Sequence, residues 1–203
     1  MKTQAVSAFT LIELLVTVAL VSVLAGLAYA GAGSIIERGN ALKCLSNMRQ
    51  IGAAVHMFAG DNGGRLPGTS HGVSWTNSLS LYLGSNFIGR CPATPRHRAR
   101  VTYGWNDSLA DAQGIGLRLL SCRTPGATMA VAELATNQTS EHFHFAGVRG
   151  GASRITPNQF KAAVNVELHN GSADYLFVDG HVENLPWTEV QRRLGQPTTF
   201  IVP

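Results

Sequence analysis

The sequence predicts an α+β fold in which one long N-terminal helix packs on a small antiparallel β-sheet. Three observations predict it. An uncharged apolar run fills residues 14–36, and a stripe of apolar side chains at helical spacing follows in residues 42–58. Near the C-terminus, the pair Asp179-Gly180 separates two short apolar segments, which is a strong signal for a β-hairpin.

The apolar residues are concentrated near the N-terminus. Of the 203 residues, 45% are hydrophobic and only 14% are charged. Soluble domains usually have about 25% charged residues. In residues 14–36, 17 of the 23 side chains are hydrophobic and none is charged. The hydrophobic fraction excludes a disordered protein. The sequence has no second run of this length, which excludes a membrane protein with several spans.

As a helix, the segment at residues 9–36 is long enough to cross a bilayer, since its uncharged part alone spans about 34 Å. A cleaved secretory signal peptide explains the segment less well, because only Lys2 precedes it as a basic residue and the apolar run is too long. Glu13, at the start of the run, is the unusual residue. A carboxylate near lipid needs a partner to offset the free energy of leaving water.

Residues 8–16 read AFTLIELLV, and this stretch resembles the prepilin cleavage and methylation motif of type IV pilins and type II secretion pseudopilins. The resemblance implies that a prepilin peptidase cuts between Ala8 and Phe9 and methylates the new amine of Phe9. It also implies a partner for Glu13, namely the N-terminal ammonium of a neighbouring subunit in a fibre. Two features depart from the family: Ala8 stands where Gly is usual, and the leader contains only one basic residue.

The resemblance implies a pilin-like architecture in four parts. We expect a leader peptide at residues 1–8, the transmembrane half of the helix at residues 9–36, its amphipathic half at residues 37–60 and a globular head at residues 61–203. In the amphipathic half, apolar residues recur at spacings of three and four, namely Leu42, Leu45, Met48, Ile51, Val55 and Phe58. Glycines in residues 60–64 are expected to end the helix.

The elements predicted in the head are short: a helix at residues 75–83, strands at residues 101–105 and 127–132, and a last helix from Thr188 to Leu194. The hairpin pairs residues 175–178 with residues 181–185. Asp179 and Gly180 form its two-residue turn, in which both residues adopt positive φ.

The head also resembles pseudopilin-like proteins that are abundant in planctomycetes and verrucomicrobia. Residues 44–52 read CLSNMRQIG and residues 64–67 read GRLP, as in the helix and exit loop of those proteins. His169, followed after nine residues by DGHV at residues 179–182, matches their C-terminal His-x9-Asp-Gly box. The resemblance implies a pilus-like or secretion role without a settled biochemical activity.

Three cysteines would lie outside the cytoplasm, where disulfides persist. Since their number is odd, one of them stays free. We expect Cys44 to pair with Cys91, which would tie the helix to the head, and pairing of Cys91 with Cys122 is the alternative. A zinc site is not expected, because the sequence has no C-x2-C pair.

The histidines raise the question of a metal site. His142 and His144 alternate as a strand would place them, and His169, Asp179 and His181 share the C-terminal box. Imidazole and carboxylate side chains of this kind could converge on a divalent metal. We favour the simpler interpretation, in which the Asp-Gly pair is a turn and the two box histidines make ordinary polar contacts. We therefore assign no metal ligand and no cofactor.

Two further functions are not expected. The net charge of +4 is scattered apart from RHRAR at residues 96–100, whereas a nucleic-acid binder needs a denser basic stripe with stacking aromatics. Residues 68–72 read GTSHG and fit the G-x-S-x-G pattern of hydrolases. That pattern needs a strand before it and a helix after it, but here it follows a Gly-Arg-Leu-Pro loop. We therefore do not expect an enzyme.

The sequence thus predicts a structural subunit held in the inner membrane by one helix, with its N-terminus in the cytoplasm and its head in the periplasm. Its expected partners are prepilin peptidase, membrane lipid, copies of itself and other pseudopilin subunits. The alternative is a singly anchored extracytoplasmic protein whose head binds a glycan or a metal through its histidines and Trp75, Trp105 and Trp187. Glu13 favours the first interpretation, because a simple anchor does not need a buried acid.

Overall fold

The computed structural model describes residues 9–69, 74–84, 89–94, 97–143, 145, 155–195 and 200–203. The chain divides into two compact units, Met1–Gly39 and Asn40–Pro203. We call them the N-terminal unit and the head, so from here on the head includes the part of the long helix that follows residue 39. The leader predicted at residues 1–8 lies outside the described residues.

Helix α1 (Leu11–Asp61) is the long N-terminal helix that the sequence predicts, and it contains 51 residues. It ends where two successive glycines, Gly63 and Gly64, adopt φ angles of 63° and 75°. These are left-handed conformations that glycine adopts without steric cost. The Gly64 N–H donates to the Ala59 carbonyl at 2.7 Å and so closes the last turn.

The head contains a five-stranded sheet formed by β1 (Tyr103–Asn106), β2 (Met129–Glu133), β3 (His142–Phe143), β4 (Ser172–Phe177) and β5 (Val182–Pro186). Their spatial order is β3-β1-β2-β4-β5. The described part of the head also has the helices α2 (Trp75–Ser78), α3 (Pro157–Ala163) and α4 (Trp187–Gly195), with single 3-10 turns at Asp107–Leu109 and Leu119–Ser121. The fold class is therefore α+β, as predicted, and it is consistent with a pilin-like fold.

The sheet is mixed, so the prediction of an antiparallel sheet is wrong at one edge. The pairs β1–β2, β2–β4 and β4–β5 are antiparallel, but β1 and β3 are parallel, with Trp105 opposite His142. Strand β2 has β1 on one side and β4 on the other, so β3 cannot pair with β2 and lies instead at the outer edge of β1. A strand that runs opposite to β2 is necessarily parallel to β1.

The hairpin of β4 and β5 is present, but its loop is one residue longer than predicted. The Phe177 N–H donates to the His181 carbonyl at 2.9 Å, which leaves residues 178–180 as the loop. Gly180 has a φ of 93° and is the only loop residue with positive φ, so the prediction of positive φ at both residues of the Asp-Gly pair is wrong. The Gly180 N–H donates to the Phe177 carbonyl at 2.9 Å, so Val178 and Asp179 are the central residues of a turn and Gly180 follows them in the left-handed conformation, as in a three-residue hairpin loop.

The core of the head has two parts, one on each face of the sheet. On β4, Tyr175 and Phe177 pack in one part and Leu176 in the other, as the alternation of side chains along a strand requires. Helix α1 covers the face of Leu176 with Cys44, Met48, Ile51, Ala54 and Val55, all buried. The other face is covered by α3, α4 and the last residues of the chain.

Two residues refine the predicted apolar stripe of α1. Leu42 is 67% exposed, so the buried stripe begins at Cys44 instead. Gly52 permits a close approach of the helix to the sheet, because a Cβ atom there would lie 2.9 Å from Leu176 Cδ1 and 3.1 Å from the Gly180 carbonyl oxygen.

Candidate functional site

The start of α1 carries the residues of the predicted processing and assembly site. Glu13 Oε2 accepts hydrogen bonds from the Thr10 N–H at 2.9 Å and from the Thr10 hydroxyl at 2.7 Å. The Glu13 N–H donates to Thr10 Oγ1 at 3.3 Å. These reciprocal bonds are a capping box, which satisfies N–H groups left free at a helix start. The Thr-x-x-Glu spacing signals this contact in the sequence, and the predictions above did not use it.

The predicted cut lies next to this capping box. Phe9 is 76% exposed, and Ala8 lies outside the described residues. The hydrogen bonds that Glu13 accepts in the capping box come from the N–H and the hydroxyl of Thr10, which are both uncharged.

Residues 9–36 expose many large apolar side chains. Each of the following is at least 50% exposed: Phe9, Leu11, Ile12, Leu14, Leu15, Val16, Val18, Leu20, Val21, Val23, Leu24, Leu27, Tyr29, Ile35 and Ile36. Soluble monomers rarely expose apolar patches of this extent. Among the described residues no single helix is both long and apolar enough to cross a membrane, whereas Leu11–Leu27 and Ala32–Asp61 together have the necessary length and apolar character as a bent pair.

Three ionisable side chains meet in the core of the head. His169 Nε2 lies 2.9 Å from Glu133 Oε1 and 3.7 Å from Asp174 Oδ2, and all three side chains are at most 4% exposed. Glu133 ends β2 and Asp174 lies in the neighbouring β4, so the sheet itself places the two carboxyl groups close together. Asn184 donates to Asp174 Oδ1 at 2.8 Å. Within the described residues, Glu133 Oε2 and Asp174 Oδ2 are buried without a hydrogen-bond partner.

Burial controls the protonation of this cluster. It raises the pKa of the Glu133 carboxyl, although the hydrogen bond from His169 acts in the opposite direction. It likewise raises the pKa of Asp174 against the hydrogen bond from Asn184. Burial alone would lower the pKa of His169, but the hydrogen bond and the charge of Glu133 together raise it. All three groups therefore bind protons more tightly in the folded head than in the unfolded chain.

A disulfide between Cys44 and Cys91 lies beside the cluster. It joins α1 to the segment before β1, with the two Cα atoms 5.1 Å apart. Cys91 Sγ is 4.0 Å from His169 Nε2, so the disulfide and the ionisable cluster are in direct contact. Cys122 is a buried free thiol whose Sγ donates to the Thr128 hydroxyl at 3.6 Å.

The residues of the C-terminal box lie at opposite ends of β4. His169 belongs to the buried cluster before the strand, whereas Asp179 and Gly180 lie in the turn after it and His181 follows that turn. There, His181 Nδ1 lies 2.5 Å from Asp179 Oδ1, and its Nε2 lies 3.1 Å from Glu183 Oε1. The structure thus does not bring the two histidines of the box to a common site. The sequence did not indicate Glu133 or Asp174, the actual neighbours of His169.

In the part of the chain that the structure describes, the other side chains singled out in the sequence lie at more than one place. Trp75 and Trp105 stack with ring centroids 5.9 Å apart, and both are at most 1% exposed, so neither is available to a glycan. Trp187 packs on Phe160. His142 lies in β3, while His144, Arg96 and residues 70–72 of the GTSHG stretch lie outside the described residues.

Comparison with known proteins finds a match at the N-terminus. Residues 4–29 match the family model of the prokaryotic N-terminal methylation motif. This match supports a type IV pilin-like family, an N-terminal membrane anchor, processing by a prepilin peptidase and assembly with other pilin subunits. Proteins of this structural type are generally not enzymes. Neither the curated proteins nor the solved structures contain a match to the chain.

Proposed function

We propose that this chain is a prepilin-like structural subunit of a type II secretion or type IV pilus-like system. In this proposal a prepilin peptidase cuts between Ala8 and Phe9 and methylates Phe9, and the mature chain leaves the inner membrane to join a pilus-like fibre. The observation that supports it is the methylation motif, in which Glu13 stands at the edge of an otherwise uncharged apolar run.

The exposed apolar side chains of residues 9–36 are suited to both states. In the membrane they contact lipid tails, and in a fibre they contact the same segment of neighbouring subunits. Because lipid tails are about as apolar as leucine side chains, this exchange changes the hydrophobic free energy little. The apolar surface therefore permits assembly, but a different interaction has to drive it.

Glu13 supplies that interaction. The capping box gives its carboxylate uncharged donors, so within the described residues these contacts supply no counter-ion to a negative charge near lipid. The ammonium created at Phe9 by the cut supplies a positive charge, and at low dielectric an ion pair is much stronger than in water. In the uncut chain the Phe9 nitrogen is an uncharged amide, so cleavage is a precondition of assembly.

The mass of the mature chain tests this proposal. The full-length protein is produced in a host with a prepilin peptidase, extracted from membranes and analysed by intact mass spectrometry and N-terminal sequencing. We expect a chain that begins at Phe9 and carries one additional methyl group, and the uncut chain in a host without the peptidase. An intact Met1 in the presence of an active peptidase, or a cut near Ala30, would contradict the proposal and favour a permanently anchored or secreted protein.

A further inference from the structure

Four side chains in the core of the head carry atoms that can ligate a metal and lie close together, and two of them, Cys44 and Cys91, are joined in the disulfide. Cys44, Cys91, Glu133 and His169 each offer one ligand atom, and these atoms all lie within 4.8 Å of one another. They come from α1, the segment before β1, the end of β2 and the turn before β4, so the whole fold is needed to bring them together.

The donor set is that of zinc. Two sulfur atoms, one imidazole nitrogen and one carboxylate oxygen are typical zinc ligands in tetrahedral sites. With metal–ligand distances of about 2.0–2.3 Å, the ligand atoms of such a site lie roughly 3.3–3.8 Å apart. The distances of His169 Nε2, 4.0 Å to Cys91 Sγ and 2.9 Å to Glu133 Oε1, lie on either side of this range.

The buried carboxyl groups are a second, independent observation that points to a cation. Glu133 Oε2 and Asp174 Oδ2 have no hydrogen-bond partner in the described part of the chain, although both atoms are buried. An unpaired buried carboxylate oxygen destabilises a fold, and a bound cation removes that destabilisation.

Charge balance allows the disulfide and a metal to replace each other. A disulfide is neutral, and Zn²⁺ with two thiolates is also neutral, so the exchange leaves the net charge of the buried cluster unchanged. Both arrangements link α1 to the segment that carries Cys91, and both therefore preserve the cross-link within the head.

We propose that the dithiol form of the head binds one Zn²⁺ through Cys44, Cys91, Glu133 and His169, and that disulfide formation releases it. The oxidant is a disulfide-donating oxidoreductase. The two thiolates give two electrons to its disulfide, which takes up two protons and becomes a dithiol, while the bond between the two Sγ atoms forms and Zn²⁺ leaves. The proposal does not depend on the pilin-like function, because every ligand lies in the head.

Metal uptake by the full-length chain in detergent tests this inference. The chain is reduced under anaerobic conditions, freed of reductant and titrated with Zn²⁺, and with Co²⁺ as a spectroscopic probe. We expect one metal per reduced chain, the visible bands of tetrahedral Co²⁺ and a near-ultraviolet thiolate-to-cobalt band. The disulfide form should bind neither metal at this site.

Matched variants separate the site from adventitious binding. Glu133→Gln keeps the disulfide and should weaken zinc binding by at least about 10-fold, since even the loss of an outer partner typically costs that much. Glu167→Gln, which changes an exposed glutamate paired with Lys161, should leave zinc binding unchanged. Cys91→Ser should weaken the thiolate-to-cobalt band, because only the Cys44 thiolate remains, whereas Cys122→Ser should retain the full band.

Three results would overturn the proposal. The first is a reduced chain that stays folded by circular dichroism but takes up no metal. The second is a reduced chain that unfolds and that Zn²⁺ fails to refold. The third is metal binding without a thiolate band, or with equal loss in Cys122→Ser and Cys91→Ser, which would assign the metal to surface groups.

Discussion

The two halves of helix α1 are equally helical but differ in what covers their apolar side chains. In residues 9–39 the large apolar side chains are exposed, and Ile35 is 69% exposed. In residues 40–61 a stripe of the same chemical character is buried against the sheet, and Ile51 is fully buried. One half therefore packs against the sheet, whereas the described large apolar side chains of the other half are exposed.

This difference separates two kinds of constraint on one helix. Burial against a fixed sheet requires particular shapes, such as the missing side chain of Gly52 beside Leu176. Contact with lipid requires little more than apolar character and length. In the exposed half, the residues suited to specific contacts are therefore the few polar ones. The most prominent of these is Glu13, which is hydrogen-bonded to Thr10.

The largest effect is expected from Glu13→Gln. Glutamine at the third position of a helix can still close a capping box with Thr10, but it cannot form an ion pair with an ammonium. We expect cleavage and membrane insertion to persist while fibre assembly is abolished. Fractionation of sheared cells, together with electron microscopy of the sheared material, measures the loss.

Thr10→Ala is the control for this variant, because it removes the cap and keeps the charge. The loss of an N-terminal cap costs about 1 kcal/mol of helix stability, so assembly should be reduced at most moderately. If Thr10→Ala abolished fibres and Glu13→Gln did not, the capping box and not the ion pair would be the function of Glu13.

A pair of isoleucines tests the contrast between the two halves directly. Ile51→Ala should destabilise the head by about 2–5 kcal/mol, as expected when a fully buried isoleucine is truncated. Ile35→Ala removes the same atoms from an exposed position and should leave the stability of the head unchanged. Tryptophan fluorescence during urea unfolding is a suitable readout, because Trp75, Trp105 and Trp187 all lie in the head.

Equal effects of the two substitutions would remove the distinction between the halves. A destabilising Ile35→Ala would mean that the N-terminal unit contributes to the stability of the head. A neutral Ile51→Ala would mean that the buried stripe of α1 does not hold the helix to the sheet.

Local patterns in the sequence predict some of these features and miss others for a physical reason. The run at residues 14–36, the stop at Gly63 and Gly64 and the β4–β5 hairpin depend on neighbouring residues, so periodicity and turn chemistry reveal them. The parallel edge strand β3 depends on which edge of the sheet is already occupied, and no local pattern records that. It has only two residues, too few for periodicity to predict a strand.

The buried cluster is the clearest case of a feature that only the fold creates. Its ligand atoms belong to residues 44, 91, 133 and 169, which share no short motif, and a search for C-x2-C spacing therefore passes over them. The sequence pattern groups His169 with Asp179 by their spacing along the chain, yet the partner of His169 in the fold is Glu133 on strand β2. By contrast, the capping box of Thr10 and Glu13 is local and could have been found.

The smallest expected effect concerns pH, and it distinguishes the buried cluster of the head from its surface charges. Glu133, Asp174 and His169 all have raised pKa values in the folded head, so the folded state binds more protons than the unfolded chain. Stability therefore falls as pH rises from the ordinary carboxyl pKa of about 4 through the raised pKa of His169, which lies above 6.5. We expect the disulfide form of the head to be less stable at pH 8 than at pH 5, measured by urea unfolding.

Glu133→Gln tests the origin of this slope, because it removes one of the two carboxyl groups that share the imidazole. The difference in stability between pH 5 and pH 8 should shrink clearly in this variant. It should shrink less in His181→Asn, since His181 is partly exposed and its ion pairs with Asp179 and Glu183 are screened by solvent. Glu189 does not interfere, because its arginine partners lower its pKa to about 2 and it stays charged throughout this range. A head that is more stable at pH 8 than at pH 5 would show that the buried carboxyl groups are not the source of the pH dependence, and an unchanged slope in Glu133→Gln would show that Glu133 is not.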